Sequence, residues 1–92
     1  MFEFYWDDQK AASNFAKHKV TFAEAASVLM DTLAVTYLDG KHSQGETRYL
    51  TFGQSDQHRI LVVSHVESAA GIRVISARRV TREERKIYEE GR

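Results

Sequence analysis

The sequence predicts an α+β domain: a three- to four-stranded antiparallel sheet with two N-terminal helices and a C-terminal helix packed on it. Three observations predict it. Two Thr-x-x-Glu helix starts, at Thr21-Phe22-Ala23-Glu24 and Thr81-Arg82-Glu83-Glu84, bracket the strand-rich middle of the chain. The β-patterned runs between them are joined by short polar turns, which makes consecutive strands antiparallel neighbours. Proline is absent, so every amide after the first is free to join a helix or a sheet ladder.

Each element has its own signal. Phe2 to Trp6 alternates weakly and predicts a short first strand. Asp7 or Asp8 then offers a carboxylate to the free amides of a helix start. From there to about His18, Ala11, Ala12, Phe15 and Ala16 supply an apolar face. The first Thr-x-x-Glu box opens a second helix, with Phe22, Ala25, Ala26, Leu29 and Met30 on its buried side, and Asp31-Thr32 ends it. Strands are predicted over Leu33 to Leu38, Glu46 to Phe52, Arg59 to Val66 and Ile72 to Arg79. The unbroken run Ile60-Leu61-Val62-Val63 marks a central strand buried on both faces. The second box starts a last helix that runs to about Glu90, with a thin apolar face of Ile87 and Tyr88 and hence weak docking. All helices are expected on one face of the sheet, leaving the other open to a ligand.

Composition narrows the function. Residues 1–92 make a single domain, since a chain of this length buries only one core. With 42% apolar and 28% charged residues the chain is globular rather than disordered. No cysteine is present, which excludes a disulfide scaffold, a thiolate metal site and thiol catalysis. The longest apolar run is four residues, too short for a membrane span. The first eight residues lack a basic start and an apolar stretch, so a cytoplasmic location is expected. Formal net charge is zero, but residues 71–92 carry seven cations, six of them arginine, against four glutamates. Arginine presents a planar donor fork suited to phosphate.

The histidines His18, His42, His58 and His65 have neither helical pairing nor cysteine partners, so no metal site and no cofactor is expected. Glu46 and Arg48 share a strand face by the period of two. By the same rule Ile72, Val74, Ser76 and Arg78 share one face of the last strand, and Arg73, Ile75, Ala77 and Arg79 the other. A carboxylate near two guanidinium groups is either an ion-pair network or a phosphate clamp with an acid/base partner, and periodicity leaves both readings open.

The residues carry a further signal. Phe4-Tyr5-Trp6-Asp7-Asp8-Gln9-Lys10, Asn14-Phe15-Ala16-Lys17-His18 and Val20-Thr21-Phe22-Ala23-Glu24-Ala25 together resemble the N-terminal pattern of the BrnT toxin family. Gly45-Glu46-Thr47-Arg48, the Leu61-Val62-Val63 strand and Ile72-Arg73-Val74-Ile75-Ser76-Ala77-Arg78 are similar to its later segments, as are Thr81, Glu84-Arg85 and Tyr88-Glu89. The resemblance spans about residues 4 to 90. It implies the toxin of a bacterial type II toxin–antitoxin pair with a RelE-like ribonuclease fold. The implied activity is metal-independent endoribonuclease action that blocks translation. The implied partner is a BrnA-like ribbon-helix-helix antitoxin, through which the complex binds promoter DNA. One departure is visible: the family's usual glycine after Lys17-His18 is Lys19 here, at a position that favours left-handed backbone.

If the chain cleaves RNA without metal, the ribose 2′-OH attacks the adjacent phosphate. That chemistry needs a proton acceptor and cations for the charge on the phosphorane. Arg48 and Arg78, with Glu46 and Tyr88, are the expected catalytic group, and Arg73, Arg79, Lys17 and His18 the expected RNA-binding group. His18 and His65 are further acid/base candidates. A non-catalytic α+β interaction module is the alternative reading, and charge neutrality favours it.

Overall fold

The computed structural model describes residues 3–91. Strand β1 (Phe4–Tyr5) is followed by helices α1 (Asp8–His18) and α2 (Phe22–Val28), and then by β2 (Val35–Leu38). A single 3₁₀ turn at Gly40–His42 leads into β3 (Arg48–Gln54), β4 (Ile60–Ser68), β5 (Gly71–Arg79) and helix α3 (Arg82–Glu90). Phe2, at the start of the predicted first strand, lies outside the described residues.

The sheet has five strands in the order β1-β5-β4-β3-β2. Strands β2 to β5 form the predicted antiparallel meander, while β1 adds to β5 in parallel. The sheet is therefore mixed rather than wholly antiparallel, and its five strands are one more than the upper expectation of four. Gly71 makes the join possible: its φ is +129°, and a Cβ there would sit 2.3 Å from the Glu3 carbonyl oxygen. That carbonyl accepts the Ile72 amide at 2.8 Å.

Beyond its two residues β1 is replaced by a side chain. Asn14 of α1 accepts the Ala77 amide through Oδ1 at 3.1 Å and donates through Nδ2 to the Ala77 carbonyl at 2.9 Å. The same Nδ2 donates to the Val20 carbonyl at 3.0 Å. The carboxamide thus continues the sheet ladder along β5, and Asn14 is buried in a helix whose predicted apolar face is mostly exposed. Phe15 in particular is 46% exposed, with the Lys19 ammonium 5.6 Å over its ring. Lys19 itself takes the left-handed conformation (φ 59°) that ends α1.

Two apolar layers flank the sheet. Val20, Phe22, Ala25 and Val28 pack with Leu61, Val63, Val74 and Ala77 on one face, and Trp6 meets Phe22 edge-on at 5.9 Å. On the other face Tyr88 of α3 packs with Phe52 and Val62, supported by Leu50, Ile60, Val80 and Ile87. The central position of β4, buried on both sides, is as predicted. The expectation that all helices share one face is corrected: α3 lies opposite α1 and α2. Its apolar face is thin, but Tyr88 is 6% exposed and its hydroxyl donates to Asp31 Oδ2 at 2.8 Å.

Candidate active site

Side chains on β3, β4 and β5 reach the α3 face in cross-strand rows. A β-bulge decides which ones. His65 pairs with Val74 and Ser64 with Ser76, so Ile75 is an extra residue without a partner on β4. The bulge inverts the alternation halfway along β5. Val74 and Ala77 both enter the α2 core, and Arg73, Ser76 and Arg78 face the other way, together. Strict period-two reading had separated Arg73 from Arg78 and joined it to Arg79. Register instead pairs Arg79 with Leu61, placing it on the α2 face, where its charge helps to lower the Glu24 pKa.

The rows on the α3 face are then Arg48–Val66–Arg73, Leu50–Ser64–Ser76 and Phe52–Val62–Arg78. Neighbouring rows are two residues apart on β4, roughly 7 Å. Strand position thus places three arginines of one face along a short track.

The first row carries a carboxylate. Glu46 lies just before β3 rather than within it. Both its oxygens accept Arg73 Nη2 at 2.7 Å, and Arg48 Nη2 stands 4.0 Å from Oε1. All three side chains are 30–40% exposed. Arg48 Nε is buried without an acceptor, so Arg48 is the less committed of the two cations.

Arg78, in the third row, is differently placed. Its Nη1 and Nη2 donate to Glu84 Oε1 and Oε2 at 2.8 and 2.9 Å, and Nη1 also donates to the Arg79 carbonyl. Glu84 completes the capping box of α3 with Thr81. The Arg78 guanidinium, with burial opposing and the Thr81 hydrogen bonds assisting, holds the Glu84 carboxyl down at about 2. Arg78 thus fastens α3 to β5 and still lines a cavity of about 320 Å³ with Ser64, Ser76, Lys17 and His18. The last two reach it from the end of α1, around the β5 edge.

The remaining expected residues lie apart. Tyr88 shares the α3 face, but its hydroxyl is directed to Asp31 beside the β3 edge, where Asp31 Oδ2 also accepts the Gln54 amide. His65 is on the α2 face, 2% exposed, with Nε2 bonded to Thr51 Oγ1 at 2.7 Å and Tyr49 stacked on its ring. Burial pushes its pKa down, against the nearby Glu67 carboxylate. Another ion pair was missed in the sequence. Glu24 is 3% exposed and binds Arg59 and Ser55, so Thr21 caps α2 with its hydroxyl alone and the box is half formed. Among the described residues no group of three or more His, Cys, Asp or Glu is placed to hold a metal ion.

This arrangement can be set beside known proteins. The profile of the ribonuclease toxin BrnT of type II toxin–antitoxin systems matches residues 6–84, most of the chain. The chain belongs to the BrnT family. As a family member it is a ribonuclease toxin, and a toxin of such a system has an antitoxin partner. The fold is also similar to the crystal structure of the Brucella abortus ribonuclease toxin BrnT. The TM-score is 0.67 at 22% identity, over 89% of this chain and all of that one. No curated protein matches the sequence. The part matched by the BrnT profile holds Glu46, Arg48, Arg73, Arg78 and Glu84 and ends before Tyr88.

Proposed function

We infer that this BrnT protein is a metal-independent endoribonuclease whose chemistry sits on the Glu46–Arg48–Arg73 row, and that it acts in the cytoplasm by destroying RNA needed for translation. The observation that carries the reading is the solvent-reachable carboxylate between two guanidinium groups held in one cross-strand row of the sheet. A phosphate arriving at the row competes with Glu46 for Arg73. Arg48 and Arg73 then hold its non-bridging oxygens, and the released carboxylate accepts the 2′-OH proton. The 2′-oxygen bonds to phosphorus, the bond from phosphorus to the 5′-oxygen breaks, and the two guanidinium groups stabilise the phosphorane between. His18 at the cavity wall, in its protonated form, gives the departing 5′-oxygen its proton, so the product leaves as a 5′-hydroxyl, and His18 and Glu46 return to their starting forms by exchange with water. Lys17 and Arg78 attract the neighbouring phosphates. Tyr88 and Arg79 take no part in the chemistry: the first anchors α3, the second lies on the other face.

The partner is a BrnA-like ribbon-helix-helix antitoxin, which covers the arginine face with an acidic segment and carries the pair to promoter DNA. Carboxylates compete most directly for a phosphate site. Incubation of purified protein with RNA in excess chelator tests the activity. The expected products carry a 2′,3′-cyclic phosphate and a 5′-hydroxyl, because the nucleophile is the 2′-oxygen. Absence of cleavage, 5′-phosphate ends, or activity that returns only with added divalent metal contradicts the reading.

A further inference from the structure

The middle row of the arginine face has no role in the chemistry, yet it is polar where a sheet surface beside an apolar cluster has no need to be. Ser64 and Ser76 stand directly opposite each other on β4 and β5. Ser64 is only 8% exposed. Neither hydroxyl has a hydrogen-bond partner among the described residues. The residue is buried but its oxygen is open to the cavity, so both hydroxyls are free to bond a polar group that enters. Both hydroxyls line the 320 Å³ cavity, whose floor is formed by Leu50 and Val62 and whose rim carries Arg78 and His18. That volume falls at the lower end of the roughly 300–1,000 Å³ typical of ligand pockets. The bulge at Ile75 creates the pair: without it Ser76 would turn to the other face.

We propose that this cavity is a nucleobase pocket, in which Ser64 and Ser76 read the edge of one unstacked base next to the phosphate held by Arg48 and Arg73. The proposal rests on the ribonuclease reading and adds the sequence selectivity that the reading lacks. The spacing fits, because the serine row lies roughly 7 Å from the arginine row, two residues along the strand. An apolar floor takes the base plane, and two hydroxyls, each donor and acceptor, take its polar edge. A base can enter only when it has left its stack, so the substrate is single-stranded RNA.

The test is the cleavage-site profile of the parent protein, Ser64→Ala and Ser76→Ala on a random-sequence single-stranded RNA pool, with a thermal melt of each. The parent is expected to prefer particular bases at one position beside the cut. Each alanine variant is expected to reduce that preference about 2- to 10-fold, the value of one hydrogen bond, while still cutting the pool. Ser76 is exposed, so Ser76→Ala carries the test if Ser64→Ala fails to fold. A second variant, Ser76→Phe, fills the cavity and should slow cleavage of every sequence at least about 10-fold, as loss of a base contact predicts. Cleavage by the parent without base preference, or folded variants with the parent's profile, overturns the pocket while the ribonuclease reading stands. A parent protein that cuts no RNA overturns the ribonuclease reading and the pocket with it.

Discussion

Arg73 and Arg78 face the same way from one strand, and their partners give them different work. Arg73 is held by Glu46 alone, in an exposed pair, whereas Arg78 is locked into the start of α3 by two bonds to Glu84. Arg78→Ala should therefore lower stability by about 1 kcal/mol, as for a geometrically good pair at a surface, and lower cleavage modestly. Urea unfolding beside a cleavage assay separates the two effects; a variant as stable as the parent would show that the Glu84 contact holds nothing. The sequence made the arginines visible as a strand-borne cluster. It did not show which ones share a face, because a bulge at Ile75 leaves no mark in an alternating run of apolar residues and arginines. Tyr88 was similarly ambiguous: helical spacing gave it a buried face, and only the fold reveals Asp31 as the partner of its hydroxyl.

At the scale of elements, two polar side chains hold the helix layer to the sheet. Asn14 replaces a missing stretch of β1 along β5, and its three hydrogen bonds are all to backbone. Asn14→Ala leaves the amide and the carbonyl of Ala77 buried and unpaired, and should destabilise by about 2–3 kcal/mol. Equilibrium unfolding checks this, and a loss below measurement error would mean that β1 or water takes over the ladder. Glu24 ties α2 to the β3–β4 turn through Arg59 and Ser55. Arg59→Ala strands a buried carboxylate and should cost about 3–5 kcal/mol, more than Glu24→Gln, which removes the charge and keeps the shape. Equal losses for the two variants would contradict that ranking. Element positions were legible in the sequence to within a few residues, since capping residues and apolar periodicity are local. Layering was not. Which face α3 covers depends on Phe52 and Val62, residues distant in sequence that meet only after the strands pair.

For the whole molecule, pH couples folding to both faces. Burial lowers the His65 pKa below 6.5, so the unfolded chain binds the extra proton. Its contribution is complete above about pH 6.5 and is lost as pH falls towards the folded value. Glu84 has the opposite chemistry and the same sign: lowered from 4.5 to about 2, it contributes fully above 4.5 and loses that contribution as pH falls towards about 2. Stability should thus fall first below about pH 6.5 and again below about pH 4.5, and His65→Gln should flatten only the first step. Urea midpoints across this range test it, and a His65→Gln variant with the parent's slope from about pH 7 to pH 5 would refute it. The neutral chain also gathers three of its arginines, Arg48, Arg73 and Arg78, on the α3 face of the sheet, an arrangement that the zero net charge concealed. The claim that this face cleaves RNA is tested most directly by single-turnover cleavage in chelator for Arg48→Ala, Arg73→Ala and the double variant, each with a thermal melt. Each single change should leave the melt intact and slow cleavage about 100- to 1,000-fold, as for loss of one preorganised donor, with the double variant slower than either. Folded variants that cut RNA at the parent's rate would contradict the account and return Glu46, Arg48 and Arg73 to an ordinary surface ion-pair network.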